Sequence, residues 1–450
     1  MKSGVLTLTK NEEYVLEIDA MGSEGEGVGR VDGFAVFVPF ALTGETVRVK
    51  IVKMLKNYAH ARLEEVITPS PSRLVPECES FYKCGGCNFW HVDYDFEFQY
   101  KTQKVKDAIK RIGKSDAGVC EIIGVKRQYH YRNKAQFPVT PEGIGFFAPR
   151  SHRLVPMNNC LIQNQINEKM ICALKKFMEK YGVLPYDEKT HTGDIRHLYT
   201  RVAENTGEVM VCIVTRQKKL LHSERLVEIL LQADKNIVSI VQNVNPDKTN
   251  AVLGEREILL WGKPYIKDKI EDLYFRISPK SFYQVNSDQT KILYDEVVKA
   301  GNFTGNERVL DLYCGAGTIS LYIARHVKEV KGVEVVARAV ENARENAILN
   351  GIDNAVFVEG RAEDIAPDLS LYDVVIVDPP RKGCNEKLLQ AMLAISPKKI
   401  IYVSCNPATL ARDIKILEDG GYKTEWIQPV DMFPRTPHVE TVVLITRVKE

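Results

Sequence analysis

The 450-residue sequence contains no run approaching about 18 uncharged apolar residues, which excludes a membrane-spanning helix. It has almost no charge bias: 61 Lys and Arg stand against 59 Asp and Glu, so total charge does not reveal a polyanionic partner. It has no internal repeat and no low-complexity tract. With 44% hydrophobic and 27% charged residues, 29 Gly and 20 Pro, it is not a disordered, collagen-like or coiled-coil chain. The N-terminus, Met1-Lys2-Ser3-Gly4-Val5-Leu6-Thr7-Leu8-Thr9-Lys10, lacks the apolar stretch of a signal peptide, which predicts a cytoplasmic protein. In a reducing compartment the ten cysteines point to metal binding or catalysis rather than a disulfide framework. At roughly 100–200 residues per domain, the length predicts several domains.

Residues 5–67 read as short strands separated by glycines, five of them between Gly22 and Gly33. In Thr46-Val47-Arg48-Val49-Lys50-Ile51-Val52-Lys53 a period of two sets Arg48 and Lys50 on one face and Val47, Val49 and Ile51 on the other. This predicts a small barrel with one basic side, although lysines also guard ordinary edge strands. Pro69-Ser70-Pro71-Ser72 and Pro76 mark a linker, and a helix is expected over about 94–112. Residues 120–270 read as mixed strands and helices. From Phe275 onward helix and strand alternate regularly, as in a doubly wound α/β domain.

Three thiols lie close together in Cys78-x5-Cys84-Gly85-Gly86-Cys87, with Cys160 far downstream. Four thiolates suit zinc or an iron–sulfur cluster. A single Cys-x-x-Cys clip favours [4Fe–4S] over the paired clips of a zinc ribbon. Cys120, Cys172 and Cys212 are expected to pack as small core residues. The run Lys126-Arg127-Gln128-Tyr129-His130-Tyr131-Arg132-Asn133-Lys134 interleaves cations with rings, and Arg150, His152 and Arg153 follow. Such a composition suits looped RNA, and equally a solvated strand.

Arg308-Val309-Leu310-Asp311-Leu312-Tyr313-Cys314-Gly315-Ala316-Gly317-Thr318 is a buried strand entering a Gly-x-Gly turn, where a cofactor can approach the backbone. A second strand, Val330-Lys331-Gly332-Val333, ends in Glu334, placed to hold ribose hydroxyls. The third glycine of a dinucleotide fingerprint is missing, so the turn suits S-adenosylmethionine better than NAD. Further strands deliver Asp378-Pro379-Pro380-Arg381 and Ser404-Cys405-Asn406-Pro407 to the same sheet edge. A thiol there is a candidate nucleophile. Glu440 opens the last strand.

Together with Ser278-Pro279-Lys280-Ser281-Phe282-Tyr283-Gln284-Val285-Asn286, these motifs resemble the RNA uracil-C5 methyltransferase family, specifically its iron–sulfur, TRAM-domain-bearing 23S rRNA branch. The resemblance spans nearly the whole chain. It implies a TRAM barrel over 1–68, a mixed α+β iron–sulfur domain over 69–272 and a Rossmann-like S-adenosylmethionine methyltransferase domain over 273–450. Carried over residue by residue, it implies S-adenosylmethionine contacts at Gln284, Tyr313, Glu334 and Asp378, and cluster ligands Cys78, Cys84, Cys87 and Cys160. It also implies Cys405 as nucleophile and Glu440 as general base. Asp378 could serve uracil or cofactor. Asn88-Phe89-Trp90-His91 departs from the family's glutamine-rich stretch.

The implied activity is methylation of uracil to 5-methyluridine in 23S rRNA, at one or two sites, by a cytoplasmic monomer. A tRNA T-loop uridine is the alternative substrate. Cytosine-C5 methyltransferases place their nucleophile in Thr-Cys or Pro-Cys contexts, and radical enzymes need Cys-x3-Cys-x2-Cys, so neither pattern fits. An inactive RNA-binding scaffold would not retain all five of Gln284, Glu334, Asp378, Cys405 and Glu440.

Overall fold

The computed structural model describes residues 8–364 and 372–448. Most of the N-terminal stretch 1–10 lies outside the described residues. The chain forms two compact units: Met1–Lys104 with Phe433–His438, and Val105–Met432 with Val439–Glu450.

In the first unit, β1 (Glu13–Met21), β2 (Gly27–Val31), β3 (Phe34–Val38), β4 (Thr46–Met54) and β5 (Tyr58–Thr68) close into a barrel in the order β1-β2-β3-β5-β4. The alternation in β4 holds: Val47, Val49 and Ile51 are buried, whereas Arg48 is exposed. Arg48 is ion-paired with Glu65 at 3.1 Å, so the basic strip is partly neutralised. Gly29 is required by close strand crossing, because a Cβ there would lie 2.3 Å from the Glu17 carbonyl oxygen. The expected Pro-Ser linker is tied down. Buried Glu45 accepts from Arg73 Nε at 2.5 Å and from the Ser70 N–H at 3.2 Å. A charge-assisted pair buried on its carboxylate side outweighs the flexibility that the composition suggests.

The helix α1 (Tyr94–Ala108) starts in this unit and continues into a wider π-type turn, Ile109–Gly113. Glu97 and Lys101, one turn apart on α1, are both fully buried and paired at 2.6 Å. They hold the distant segment Phe433–His438: Lys101 donates to the Phe433 carbonyl at 3.1 Å, and the Arg435 N–H donates to Glu97 at 2.7 Å.

In the second unit, β6 (Lys134–Thr140), β7 (Gly143–Phe147), β8 (Leu154–Pro156), β9 (Ile195–Val202), β10 (Val209–Thr215), β11 (Ile237–Val244) and β12 (Arg256–Gly262) form one sheet, ordered β12-β11-β10-β9-β6-β7-β8. The helices α2 (Ile166–Tyr181) and α3 (Ser223–Ala233) supply Leu174, Phe177, Leu226 and Leu230 to its core. A hairpin, β13 (Ile266–Ile270) and β14 (Leu273–Ile277), follows.

The remainder alternates as expected: α4 (Ser287–Gly301), β15 (Arg308–Leu312), α5 (Thr318–Ala324), β16 (Glu329–Glu334), α6 (Ala337–Leu349), β17 (Ala355–Glu359), β18 (Val374–Val377), α7 (Glu386–Ile395), β19 (Lys399–Ser404), α8 (Pro407–Asp419), β20 (Tyr422–Val430) and β21 (Glu440–Arg447). The sheet order is β17-β16-β15-β18-β19-β21-β20, parallel from β17 to β19, with β21 antiparallel to both neighbours. The central strand β18, Val374-Val375-Ile376-Val377, is continuously apolar because both its faces are covered. Asn286, Asn385 and Asn406 cap α4, α7 and α8 by accepting main-chain N–H groups. Among the described residues, no helix is long and apolar enough to cross a membrane.

Candidate active site

Strand register brings the sequence motifs together in the second unit. Leu312 pairs with Val333 on one side and Val377 on the other, so Tyr313, Glu334 and Asp378 emerge at one sheet edge. The Gly315 turn is open: φ is +54° and an added Cβ would meet nothing within 4 Å. Glu334 shapes this turn, accepting the Gly315 N–H at 3.1 Å and the Val336 N–H at 2.9 Å. A half-buried carboxylate beside an approachable backbone fits a ribose-bearing cofactor. Tyr313 takes a left-handed φ of 66°, a strained conformation for a ring-bearing residue.

Asp311 does not reach this edge. It is fully buried, accepts from the Ser320 hydroxyl at 2.5 Å, and is pushed up to about 7 by burial, with Asp378 and Glu334 adding to the shift. Its place is inside the fold, not in solvent. Gln284 is buried in the loop before α4, and its carbonyl accepts from Asn133 at 2.9 Å.

The nucleophile and base candidates meet through β21. Ser404 pairs with Thr441, so Cys405 leaves β19 beside the start of β21, where Glu440 sits. Glu440 is buried, not solvated as a strand-start acid usually is. Burial and then the Asp378 charge push it up to about 8, against an opposing pull from Arg381. Asp378 is likewise raised to about 7 by burial. The half-buried Cys405 thiol is raised to about 11 by burial, Glu440 and Asp378, and Arg381 again opposes. Arg381 is therefore the cation of the site, a role the sequence did not single out although the residue stands in the Asp-Pro-Pro-Arg motif. Asn406 caps α8 directly after the thiol and donates to the Arg381 carbonyl at 3.0 Å. Tyr294, donating to Thr318 at 2.7 Å, is a second residue that sequence reasoning missed; its hydroxyl is held neutral by burial and by Asp378, Asp311 and Glu440.

This chemistry can be matched to known proteins. Residues 93–448 match the tRNA (Uracil-5-)-methyltransferase family, and residues 8–63 match the TRAM domain. The chain belongs to the tRNA (uracil-5-)-methyltransferase family. It is an RNA uracil-C5 methyltransferase with an N-terminal TRAM barrel. A protein of Clostridium tetani named an uncharacterized RNA methyltransferase is 47% identical over 449 residues, covering 98% of both chains. One of Halalkalibacterium halodurans with the same description is 46% identical, covering 97% of this chain and 98% of its own. Among solved structures, Pyrococcus abyssi tRNA (uracil-54, C5)-methyltransferase in complex with S-adenosyl-L-homocysteine is 31% identical. It superposes with a TM-score of 0.80 over 96% of this chain and 99% of its own.

Other expected sites are arranged differently. Cys78, Cys84 and Cys87 belong to the first unit and Cys160 to the second, all as partly buried cysteines. Cys78 and Cys84 are close enough for the charge of one to raise the other. Among the described residues, no group of three or more His, Cys, Asp or Glu is positioned to hold a metal ion. Cys212 is buried as expected, but Cys172 is exposed on α2, because the helix turns that position away from the core. In the basic–aromatic run Tyr131 is fully buried, and Arg127 pairs with Asp288 at 2.9 Å and Glu204 at 3.3 Å. Much of that run therefore serves packing. Arg150, His152 and Arg153 stay exposed, with His152 against Glu188 at 2.7 Å.

Proposed function

We propose that this enzyme methylates uracil C5 in 23S rRNA, at one or two uridines, giving 5-methyluridine through a covalent Cys405 intermediate. The observation that carries the reading is the meeting of Cys405 and Glu440, 35 residues apart, at one sheet edge beside Asp378. When bound, S-adenosylmethionine supplies an electrophilic methyl group. Gln284, Tyr313 and Glu334 would hold it, with Asp378 contacting cofactor or uracil. Uracil C5 is too weakly nucleophilic to accept that methyl unaided. The Cys405 sulfur adds to C6, and the electron pair of the C5–C6 double bond moves to make C5 an enolate carbon. After C5 is methylated, Glu440 takes the C5 proton, and the returning electron pair expels the Cys405 thiolate. The target base must leave any stack to enter the site.

The cysteine motif and TRAM barrel support the 23S rRNA reading. By the resemblance of the motif, Cys78, Cys84, Cys87 and Cys160 would supply the four thiols of a [4Fe–4S] cluster, which enters no step of this mechanism. We further propose that residues 1–68 contact RNA, that 69–272 carry the cluster, that 273–450 perform catalysis, and that the enzyme acts as a cytoplasmic monomer. A tRNA T-loop uridine is the second reading, favoured by the similarity to the Pyrococcus abyssi tRNA enzyme. Mapping 5-methyluridine in 23S rRNA and tRNA from a deletion strain separates the two substrates.

The mechanism is tested by two substitutions that must fail at different steps. Cys405→Ala should bind RNA without ever becoming attached. Glu440→Gln should attack and transfer the methyl, then stall as a methylated RNA–protein adduct stable on denaturing gels. Normal turnover by Glu440→Gln would assign the base elsewhere, and methylation by Cys405→Ala would end the covalent mechanism.

A further inference from the structure

Asp413 is a fully buried carboxylate in α8 that the proposed chemistry does not use. Its Oδ2 accepts the Cys384 N–H at 2.8 Å and the Tyr402 hydroxyl at 2.7 Å. Its Oδ1 accepts Arg412 Nε at 2.8 Å. Arg412 in turn donates to the carbonyls of Lys382 at 3.0 Å and Cys384 at 3.3 Å. Nearer the start of the helix, Thr409 and Asn406 donate to the Arg381 carbonyl at 3.2 Å and 3.0 Å. Asn406, Thr409, Arg412 and Asp413 thus share one face at helical spacing, and together they grip the turn from Arg381 to Cys384. Gly383 completes the fit. Its φ is +78°, and an added Cβ would lie 2.6 Å from Arg412 Nη2 and 2.7 Å from Asp413 Oδ2.

A carboxylate buried this deeply is costly unless its hydrogen bonds are made, so the arrangement tolerates little displacement. The gripped turn carries Arg381, and the gripping helix begins two residues after Cys405. We propose that Asp413 is a positioning residue for the nucleophile, locking the Arg381–Cys384 turn onto α8 and so fixing Arg381 relative to the Cys405 thiol. This rests on the reading of Cys405 as nucleophile. Three charged groups act on that thiol: Glu440 from β21 and Asp378 after β18 disfavour the thiolate, and Arg381 favours it. Releasing the turn therefore has a definite sign, which is less thiolate at a given pH.

The test uses the full-length protein without RNA and follows iodoacetamide alkylation of Cys405 by peptide mass spectrometry from neutral to alkaline pH. Arg381→Gln, Asp413→Asn and Gly383→Ala should all move the profile to higher pH. The expected loss is up to about tenfold in rate at fixed pH, the effect of a rise of about one pKa unit. Gly383→Ala disturbs the turn while the Asp413 carboxylate is retained, so it decides the matter if Asp413→Asn fails to fold, as judged by thermal melting. A purely structural Asp413 would lower the melting temperature and leave the profile unmoved. The proposal is overturned if Arg381→Gln leaves the profile unchanged, or if it shifts the profile while the folded turn variants do not. Methylation by Cys405→Ala would remove the nucleophile reading separately, and the alkylation profiles would still decide the lock.

Discussion

The main-chain N–H of Gly315 donates to Glu334 at 3.1 Å, so the acid that ends β16 also folds the turn that ends β15. The carboxylate proposed to hold the cofactor is thus also the one that folds the turn. Glu334→Ala should weaken S-adenosylmethionine binding by about 10- to 100-fold, the usual worth of hydrogen bonds to a charged group. Calorimetry measures this directly; unchanged affinity would place the ribose elsewhere.

Acidity at the site sets a pH dependence. Glu440 is neutral below about 8, so resolution of the adduct should accelerate as pH rises toward that value and then level off. Folding stability runs the opposite way. The folded state holds a proton on Glu440 that the unfolded chain releases at its ordinary, lower pKa. Stability is therefore greatest below that lower pKa and is lost as pH rises through about 8. Glu440→Gln should flatten this fall in a series of thermal melts; an unaltered pH slope would show that Glu440 is not the responsible group.

The Glu97–Lys101 pair, with neither side chain exposed, should be intolerant of losing one partner. Lys101→Met takes the nearest cation from the buried Glu97 carboxylate, leaving Arg435 at 4.0 Å, and should cost about 3–5 kcal/mol in chemical denaturation. The double variant Glu97→Gln with Lys101→Met should recover part of that loss. A Lys101→Met protein as stable as the parent would mean that water reaches Glu97.

The four-thiol reading predicts a brown protein when purified without oxygen, with broad visible absorbance that bleaches on reduction by dithionite. Cys87→Ala should lose the colour and much of the solubility. A colourless protein carrying stoichiometric zinc would replace iron and sulfur with zinc on the same thiols.

Much of the active site is legible in the sequence because each motif follows a largely buried strand, and parallel strands present their C-terminal ends at one edge. Tyr313, Glu334, Asp378 and Cys405 could be placed on that rule alone. The alternation in β4 likewise foretold its buried and exposed faces. Local patterns say nothing about partners distant in the chain. Tyr131 and Arg127 read equally as part of an RNA-facing run or of a solvated strand, yet one is packed inside and the other is held by Asp288 and Glu204. The Pro-Ser segment read as a linker because Glu45, its anchor, lies far upstream. Above all, the meeting of Glu440 with Cys405 depends on the last strand running antiparallel, with Ser404 opposite Thr441. The residue types and spacings determined which groups are candidates for the chemistry. Register and burial, which only long-range pairing establishes, decided which of them meet and how strongly each holds its proton.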